Sequence, residues 1–358
     1  MHRYRAIYET LLEEIQSGVY KPGERLPSEA ALCERFSASR ITVAKAFQSL
    51  QQEGLVRRRP GSGSYVEKLP NSATRQFGLL IPDLGTTEIF EAICQGLMTS
   101  PAGGSHSLAW GNAMAREDAS VTMERLCRQY IAQRVAGVFF APTEFAGEEN
   151  NRRIAAMLEQ ANMPVVLLDR DFETYPNRSN FDFVGIDNRR AGYIQAQHLA
   201  QAGAKKILFA MRPGSANTVD ARAAGYREAM FELFHGAVGT VVGGDFEDKE
   251  FVSQFMKRDK PDGIVCANDV TAAKLMRTLL SLGYKVPEDV RMIGLDDVGY
   301  ARYLPTPLTT LRQDCAEIGI VAMSVMLERI ERPRHPVVDV RVKTELVIRE
   351  SCGMKLGG

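Results

Sequence analysis

No run in the 358 residues approaches the ~18 consecutive apolar residues that a membrane span needs. The opening MHRYRAIYETLLEEI is amphipathic and mixed in charge, without the apolar centre of a secretory signal. The expectation is a cytoplasmic protein with no membrane partner. Cysteine is sparse. Cys33, Cys94, Cys127, Cys266, Cys315 and Cys352 show no C-x-x-C and no metal-ligand spacing. Most sit in apolar periodic segments, so buried free thiols are expected rather than disulfides or a metal site. The phosphate- and nucleophile-bearing motifs G-x-G-x-x-G, G-x-x-x-x-G-K-[ST] and G-x-S-x-G are all missing. The five histidines are scattered, at 2, 106, 198, 235 and 335. No enzyme activity and no cofactor are therefore expected. Asp296-Asp297 is a candidate carboxylate pair for acid–base or metal chemistry, but no second cluster supports that use.

Net charge is missing too, with 44 Lys+Arg against 44 Asp+Glu. That balance hides an asymmetry. Residues 1–69 hold 11 basic and 8 acidic residues, with the surplus concentrated between Arg40 and Arg59. A neutral protein with such a face can still attract phosphate.

The stretch Leu26–Val66 carries the strongest signal. Tyr4, Ile7, Tyr8, Leu11, Leu12 and Ile15 recur at helical spacing and predict a first helix ending at Gly18. Ser28 is placed to cap a second helix. A polar turn, Ser37-Ala38-Ser39, leads to a third helix with Ser39 as its cap and Val43, Ala46, Phe47 and Leu50 inside. Arg40, Thr42 and Lys45 fall at its start or outer side. That arrangement suits a major groove, where Arg40 can pair bidentately with guanine and Thr42 can bond a phosphate or touch a thymine methyl. After Gly54, Leu55-Val56 and Tyr65-Val66 predict two short strands. Arg57, Arg58 and Arg59 lead into a tip at Gly61-Ser62-Gly63. Arginines there can bond phosphates or enter the minor groove, and glycines let the backbone approach DNA. Alone, the arginine triplet reads equally well as a solvated charge run. In this order of elements, the segment reads as a winged helix-turn-helix that binds double-stranded DNA.

These residues carry a resemblance. Gly18–Glu29 (GVYKPGERLPSE), Ser39-Arg40-Ile41-Thr42-Val43 and Gly61–Val66 (GSGSYV) resemble the DNA-binding domain of GntR-type bacterial regulators over residues 4–66. The resemblance implies DNA contacts at Arg40, at Thr42 and around Gly61 and Gly63. It departs from the family at Ala44, where a basic residue is usual, and at Ala30, where many members carry Arg.

Residues 70–76 read as a polar, proline-containing linker. From Phe77 onward, short apolar runs alternate with helical patterns. Nine candidate strands are Phe77–Ile81, Ser107–Ala109, Gly137–Phe140, Val165–Leu168, Phe183–Ile186, Lys206–Ala210, Gly239–Val242, Gly263–Cys266 and Met292–Leu295. Helices such as Glu88–Met98, Arg189–Gln201, Ala221–Leu233 and Thr271–Leu282 fill the gaps. The expectation is a multidomain α/β chain: a winged helix-turn-helix at 1–69, then two Rossmann-like lobes at 77–358.

Polar residues gather at the predicted strand ends: Asp83, Asp169-Arg170-Asp171, Asp187-Asn188, Asn268-Asp269 and Asp296-Asp297, with Arg222 at the start of a helix. Each alone reads more readily as a helix cap. As a set at the carboxyl ends of strands they read as a cleft for a polyhydroxylated ligand.

The run Gly78–Asp83 (GLLIPD), Val184–Asn188 (VGIDN), Arg222–Tyr226 (RAAGY), Ala267-Asn268-Asp269, Val286–Asp297 (VPEDVRMIGLDD) and Leu346–Ser351 (LVIRES) resembles the effector domain of LacI-type regulators, of periplasmic-binding-protein type. The resemblance implies effector contacts from Arg222, Asn268 and Asp296, with Arg170, Asp83 and Phe90 as further carry-overs. Trp110, the only tryptophan, is a candidate platform for a sugar ring. It implies a homodimeric repressor of carbohydrate genes, released from its operator by a monosaccharide. A purine or sugar phosphate stays open as the effector, and so does an enzyme domain carrying a DNA-binding head.

Overall fold

A computed structural model describes residues 3–16, 19–21, 23–52, 55–59, 62–66, 75–82, 88–103, 105–111, 119–144 and 148–354. The chain forms two compact units, Met1–Ala73 and Thr74–Gly358.

In the first unit, α1 (Arg3–Gln16) buries Ile7, Leu11 and Ile15, spaced one turn apart. The Oγ of Ser28 accepts the Ala31 N–H at 3.2 Å and opens α2 (Glu29–Arg35). Ser37 then turns with φ 48°. The Oγ of Ser39 accepts the Thr42 N–H at 3.3 Å and opens α3 (Arg40–Gln52). Val43, Ala46, Phe47 and Leu50 are all buried, as their spacing predicts. Strands β1 (Val56–Arg59) and β2 (Gly63–Val66) pair antiparallel, with Val56 opposite Val66 and Arg59 opposite Gly63. A third segment completes this wing: Arg25 bridges to Tyr65, and Leu26 N–H donates to the Ser64 carbonyl at 2.9 Å. The strands reach further toward the tip than the apolar pairs Leu55-Val56 and Tyr65-Val66 suggest, because this ladder holds the arginine-bearing residues in register. Gly18, Gly54, Gly61 and residues 67–74, which hold most of the expected linker, lie outside the described residues.

The second unit has two lobes. The first runs β3 (Arg75–Leu80), α4 (Glu88–Thr99), β4 (His106–Ala109), α5 (Ala119–Gln133), β5 (Gly137–Phe140), α6 (Glu148–Gln160), β6 (Val165–Leu168) and β7 (Asp182–Ile186). The chain then crosses into the second lobe. There it runs α7 (Asn188–Gln201), β8 (Ile207–Met211), α8 (Asn217–Leu233), β9 (Thr240–Gly243), α9 (Lys249–Asp259), β10 (Gly263–Cys266), α10 (Asp269–Ser281), β11 (Arg291–Asp296) and β12 (Thr310–Gln313). It returns with α11 (Cys315–Glu331), which packs on α4, and β13 (Asp339–Val342), which joins β7. Finally β14 (Thr344–Val347) crosses again and pairs antiparallel with β12.

Each lobe holds one six-stranded sheet, ordered β13-β7-β6-β5-β3-β4 and β14-β12-β11-β10-β8-β9. All pairings but β12–β14 are parallel. Strands buried on both faces must be apolar throughout, and β5, β6 and β10 (GVFF, VVLL, GIVC) are buried at every position. The nine expected strands are present. Three more, β12, β13 and β14, complete the sheets. Their sequences TLRQ, DVRV and TELV mix charge with apolar residues, and two of them are edge strands, so no apolar run marks them. All six cysteines are free, and four of them are buried.

Small residues let one helix pair in each lobe touch backbone to backbone. A methyl at Gly96 of α4 would stand 2.0 Å from the Ala316 carbonyl, and one at Gly319 of α11 2.1 Å from that of Ile93. In the second lobe, a methyl at Gly192 of α7 would stand 1.9 Å from the Arg222 carbonyl, and one at Gly225 of α8 1.7 Å from that of Arg189. Such clashes with backbone cannot be relieved by a rotamer change. Gly225→Ala is therefore expected to cost about 1–3 kcal/mol of stability and to shift Arg222, read as a lower denaturant midpoint together with weakened ligand binding.

Candidate functional site

In the winged unit, Arg40 is the first residue of α3 and its side chain is 85% exposed. Its Nε lies 3.5 Å from a Glu29 oxygen, and the other Glu29 oxygen receives Arg58 of the wing at 3.0 Å. Glu29 thus ties the start of the third helix to the hairpin. Lys45 is exposed, with its ammonium over the Tyr4 ring at 4.7 Å. The Thr42 hydroxyl is turned back onto Ser39, Oγ to Oγ1 2.8 Å. In the wing, Arg57, Arg58 and Arg59 are all exposed. The Arg59 guanidinium lies over Tyr65 at 5.0 Å, and the Tyr65 hydroxyl sits 2.6 Å from Ser62 Oγ. Gly63 has φ 117°, and a methyl there would stand 2.6 Å from Arg25 Nε. A side chain at Gly63 would be strained and would collide as well. The structure thus gathers Ser39, Arg40, Thr42, Lys45, the three wing arginines, Ser62 and Gly63 on one small unit. Gly61 lies outside the described residues. Glu29, which joins the two halves of this face, gave no signal in the sequence beyond following a cap.

In the sensor unit, the strand ends converge between the lobes. Arg222 lies in the second turn of α8, not at the helix start, because the helix begins at Asn217. It is buried. Its Nε donates to the Thr218 carbonyl at 3.2 Å, one Nη to Thr218 Oγ1 at 3.2 Å, and the other Nη to the Ala267 carbonyl. Those three bonds use three of the five guanidinium N–H groups. Burial pulls its pKa down, while Asp296, Asp169 and Glu144 pull it up and Arg170 opposes them. The carboxylates of both lobes therefore lie within electrostatic reach of this one side chain. Arginine nonetheless stays protonated.

Asp296 ends β11 with φ 122°, and Asp297 follows with φ 58°. Asp169, after β6, has φ 67°. Three strand-end aspartates in a backbone region that ordinary residues avoid mark a strained site. The two adjacent carboxylates part company. Asp297 is held by Arg312 Nε at 2.7 Å and Arg349 Nη at 2.5 Å. Among the described residues, Asp296 accepts one bond, from Gln313 Nε2 at 2.6 Å. No group of three or more metal-ligating side chains occurs among the described residues. Burial pushes the Asp296 carboxyl well above the usual carboxylate range, with Asp269 adding to the rise and Arg222 opposing it. Asp269 is itself pushed up to about 7, chiefly by burial, while it accepts the Thr310 hydroxyl at 2.7 Å and the Val298 N–H at 3.1 Å.

Asn268 caps α10 through Oδ1, which accepts the Thr271 N–H at 2.9 Å. Its Nδ2 makes no bond to the described residues. Capping and ligand binding are thus compatible here. Asp187 likewise caps α7, its carboxylate accepting the Arg190 N–H at 3.0 Å. In the first lobe, Arg170 is buried, ion-paired to Asp169 at 3.1 Å and to Glu144, with its guanidinium 5.3 Å from the Phe90 ring. Phe90 is only 2% exposed, so it supports Arg170 from the core. Trp110, at the end of edge strand β4, is 64% exposed. Asp83 lies outside the described residues.

A cavity of about 280 Å³ opens beside Arg170. It is lined from the first lobe by Thr143, Glu144 and Asp171, and from the second by Asn217 and Asp220. Asn217 Nδ2 bridges the lobes, donating to the carbonyls of Asp171 at 2.9 Å and Glu173 at 2.8 Å. No local sequence pattern marks Glu144, Asn217, Thr218 or Gln313. Each is an ordinary polar residue whose position comes only from the tertiary fold.

Residues 3–66 match the family of bacterial regulatory proteins known as gntR, and residues 196–352 match the periplasmic binding protein-like domain. An arabinose metabolism transcriptional repressor of Geobacillus stearothermophilus is 25% identical over 98% of this chain and 97% of its own length. The repressor PurR of Photobacterium profundum is 25% identical over 80% of this chain and 84% of its own. Among solved structures, a LacI family regulator from Enterococcus faecium with bound ribose superposes with TM-score 0.62 at 22% identity, covering 77% of this chain and 98% of that one. These relatives are transcription regulators, not enzymes.

Proposed function

We propose that this chain, whose residues 3–66 match the gntR family of bacterial regulatory proteins and whose residues 196–352 match the periplasmic binding protein-like domain, is a cytoplasmic, homodimeric repressor of carbohydrate genes released by a neutral sugar. The observation that carries the ligand class is the charge balance of the cleft. Among the described residues, Asp169, Glu144 and Asp296 gather around the guanidiniums of Arg170 and Arg222, and Arg170 is already paired with the first two. A phosphate or other anion would lie against the Asp169 and Glu144 carboxylates, which already engage Arg170. A sugar hydroxyl both donates and accepts, and matches the N–H groups of Arg222 and Asn268 together with the carboxyl oxygens of Asp296.

The chain passes between the lobes at three places, so a ligand bound to Arg222 and Asn268 on one side and to Asp169-Arg170 on the other favours closure. Closure that differs between DNA-bound and free states weakens DNA binding, and DNA must then weaken sugar binding by the same factor. The arabinose repressor and the ribose-bound regulator among the relatives support a monosaccharide. The test is fluorescence anisotropy on upstream DNA with nonspecific competitor, titrated with pentoses, hexoses, their phosphates and purines. Release by one uncharged sugar, with its phosphate inert, is the expected result. Release by a purine or only by a sugar phosphate would overturn the assignment.

A further inference from the structure

The second residue of α3, Ile41, is 82% exposed, while Val43, Ala46, Phe47 and Leu50 of the same helix are buried. A β-branched aliphatic side chain in open water at a helix start contributes nothing to folding. It shares an outward stripe with exposed Lys45 and Gln48, one and two turns further on, and follows Arg40, whose side chain is also exposed. On a helix that enters the major groove, the only apolar group a base pair presents is the C5 methyl of thymine. The sequence alone offers Thr42 for that methyl, but the Thr42 hydroxyl is bonded to Ser39 at 2.8 Å, which turns its side chain toward the helix cap.

We propose that Ile41, and not Thr42, is a base-reading residue that packs on a thymine methyl next to the base read by Arg40. The proposal rests on the DNA-binding reading of the head and adds to it one base identity per half-site. A polar or charged neighbour would tolerate any base there. An isoleucine favours thymine and disfavours cytosine, whose N4–H₂ donor would lose its water without gaining an acceptor.

Duplexes are first selected from a randomised pool by the intact protein. In the selected operator each thymine is then replaced singly by deoxyuridine, which removes the methyl and nothing else. The expected result is one thymine per half-site whose demethylation weakens the native protein by about three- to fivefold, the value of one buried methyl. Ile41→Ala should bind the normal operator more weakly by a comparable factor and be indifferent to demethylation. Thr42→Ser, which keeps the hydroxyl, should retain the full methyl response. Ile41 is exposed, so its replacement leaves the core intact. Methyl sensitivity that persists in Ile41→Ala, or disappears in Thr42→Ser, would overturn the assignment. So would an operator with no methyl-sensitive thymine. Failure to select any preferred sequence would instead overturn the DNA-binding reading beneath it.

Discussion

Arg222→Ala is expected to leave DNA binding intact and to abolish release by the sugar at any practical concentration. The three bonds that hold the guanidinium, to Thr218 twice and to Ala267, come from its own helix and from the strand-end loop after β10. They fix the fork and leave two N–H groups for a ligand. A hydrogen bond from a charged group contributes about 1.5–3 kcal/mol. Losing two costs about 3–6 kcal/mol, or roughly two to four orders of magnitude in affinity. Calorimetry with the releasing sugar reads this directly, and anisotropy reads the retained operator affinity. Arg222→Lys separates charge from geometry. It keeps the positive charge beside Asp296 but loses the planar fork, so it should recover little of the response. A variant that still releases DNA at the native sugar concentration would show that the effector sits elsewhere.

Much of the sensor was legible because buried parallel strands are written as unbroken apolar runs. The ends of β5, β6 and β10 coincide with the runs that announce them. Edge strands have no such constraint, so β13 and β14 were silent. The helix carrying Arg222 begins at Asn217, four residues before its apolar pattern announces it, because its cap, Ala216, has no side-chain acceptor to signal the start. The aspartates of the cleft were visible as strand-end residues, but their left-handed backbones at Asp169, Asp296 and Asp297 were not. Nothing in a one-dimensional pattern states that Asp297 turns to Arg312 and Arg349 while Asp296 faces Arg222. The winged unit was easier, since caps, turn and amphipathic face are all local in sequence. Even there, the link from Glu29 to both Arg40 and Arg58 joins residues brought together only by folding.

Arg40→Ala is expected to remove sequence-specific DNA binding while leaving sugar affinity unchanged. Among the described residues, the Arg40 side chain is held at one point, Nε to Glu29 at 3.5 Å, and its Nη groups meet no partner. That is the state of a guanidinium poised to pair with guanine O6 and N7. Each such pair contributes about 1–3 kcal/mol of discrimination. In a dimer reading two half-sites the loss doubles, giving roughly 30-fold to 10⁴-fold weaker operator binding. Competition between operator and mutated operator distinguishes base reading from phosphate contact. If Arg40 only neutralised a phosphate, Arg40→Ala would weaken every sequence alike and lower the salt dependence by about one ion per site. If it reads a base, Arg40→Ala and the guanine-substituted operator should be equally weak, and combining them should cost nothing more. Arg40→Gln sharpens the comparison, because an uncharged amide cannot neutralise a phosphate and its bidentate partner is adenine, not guanine. A preference for guanine that survives in Arg40→Gln would therefore sink the base-reading assignment.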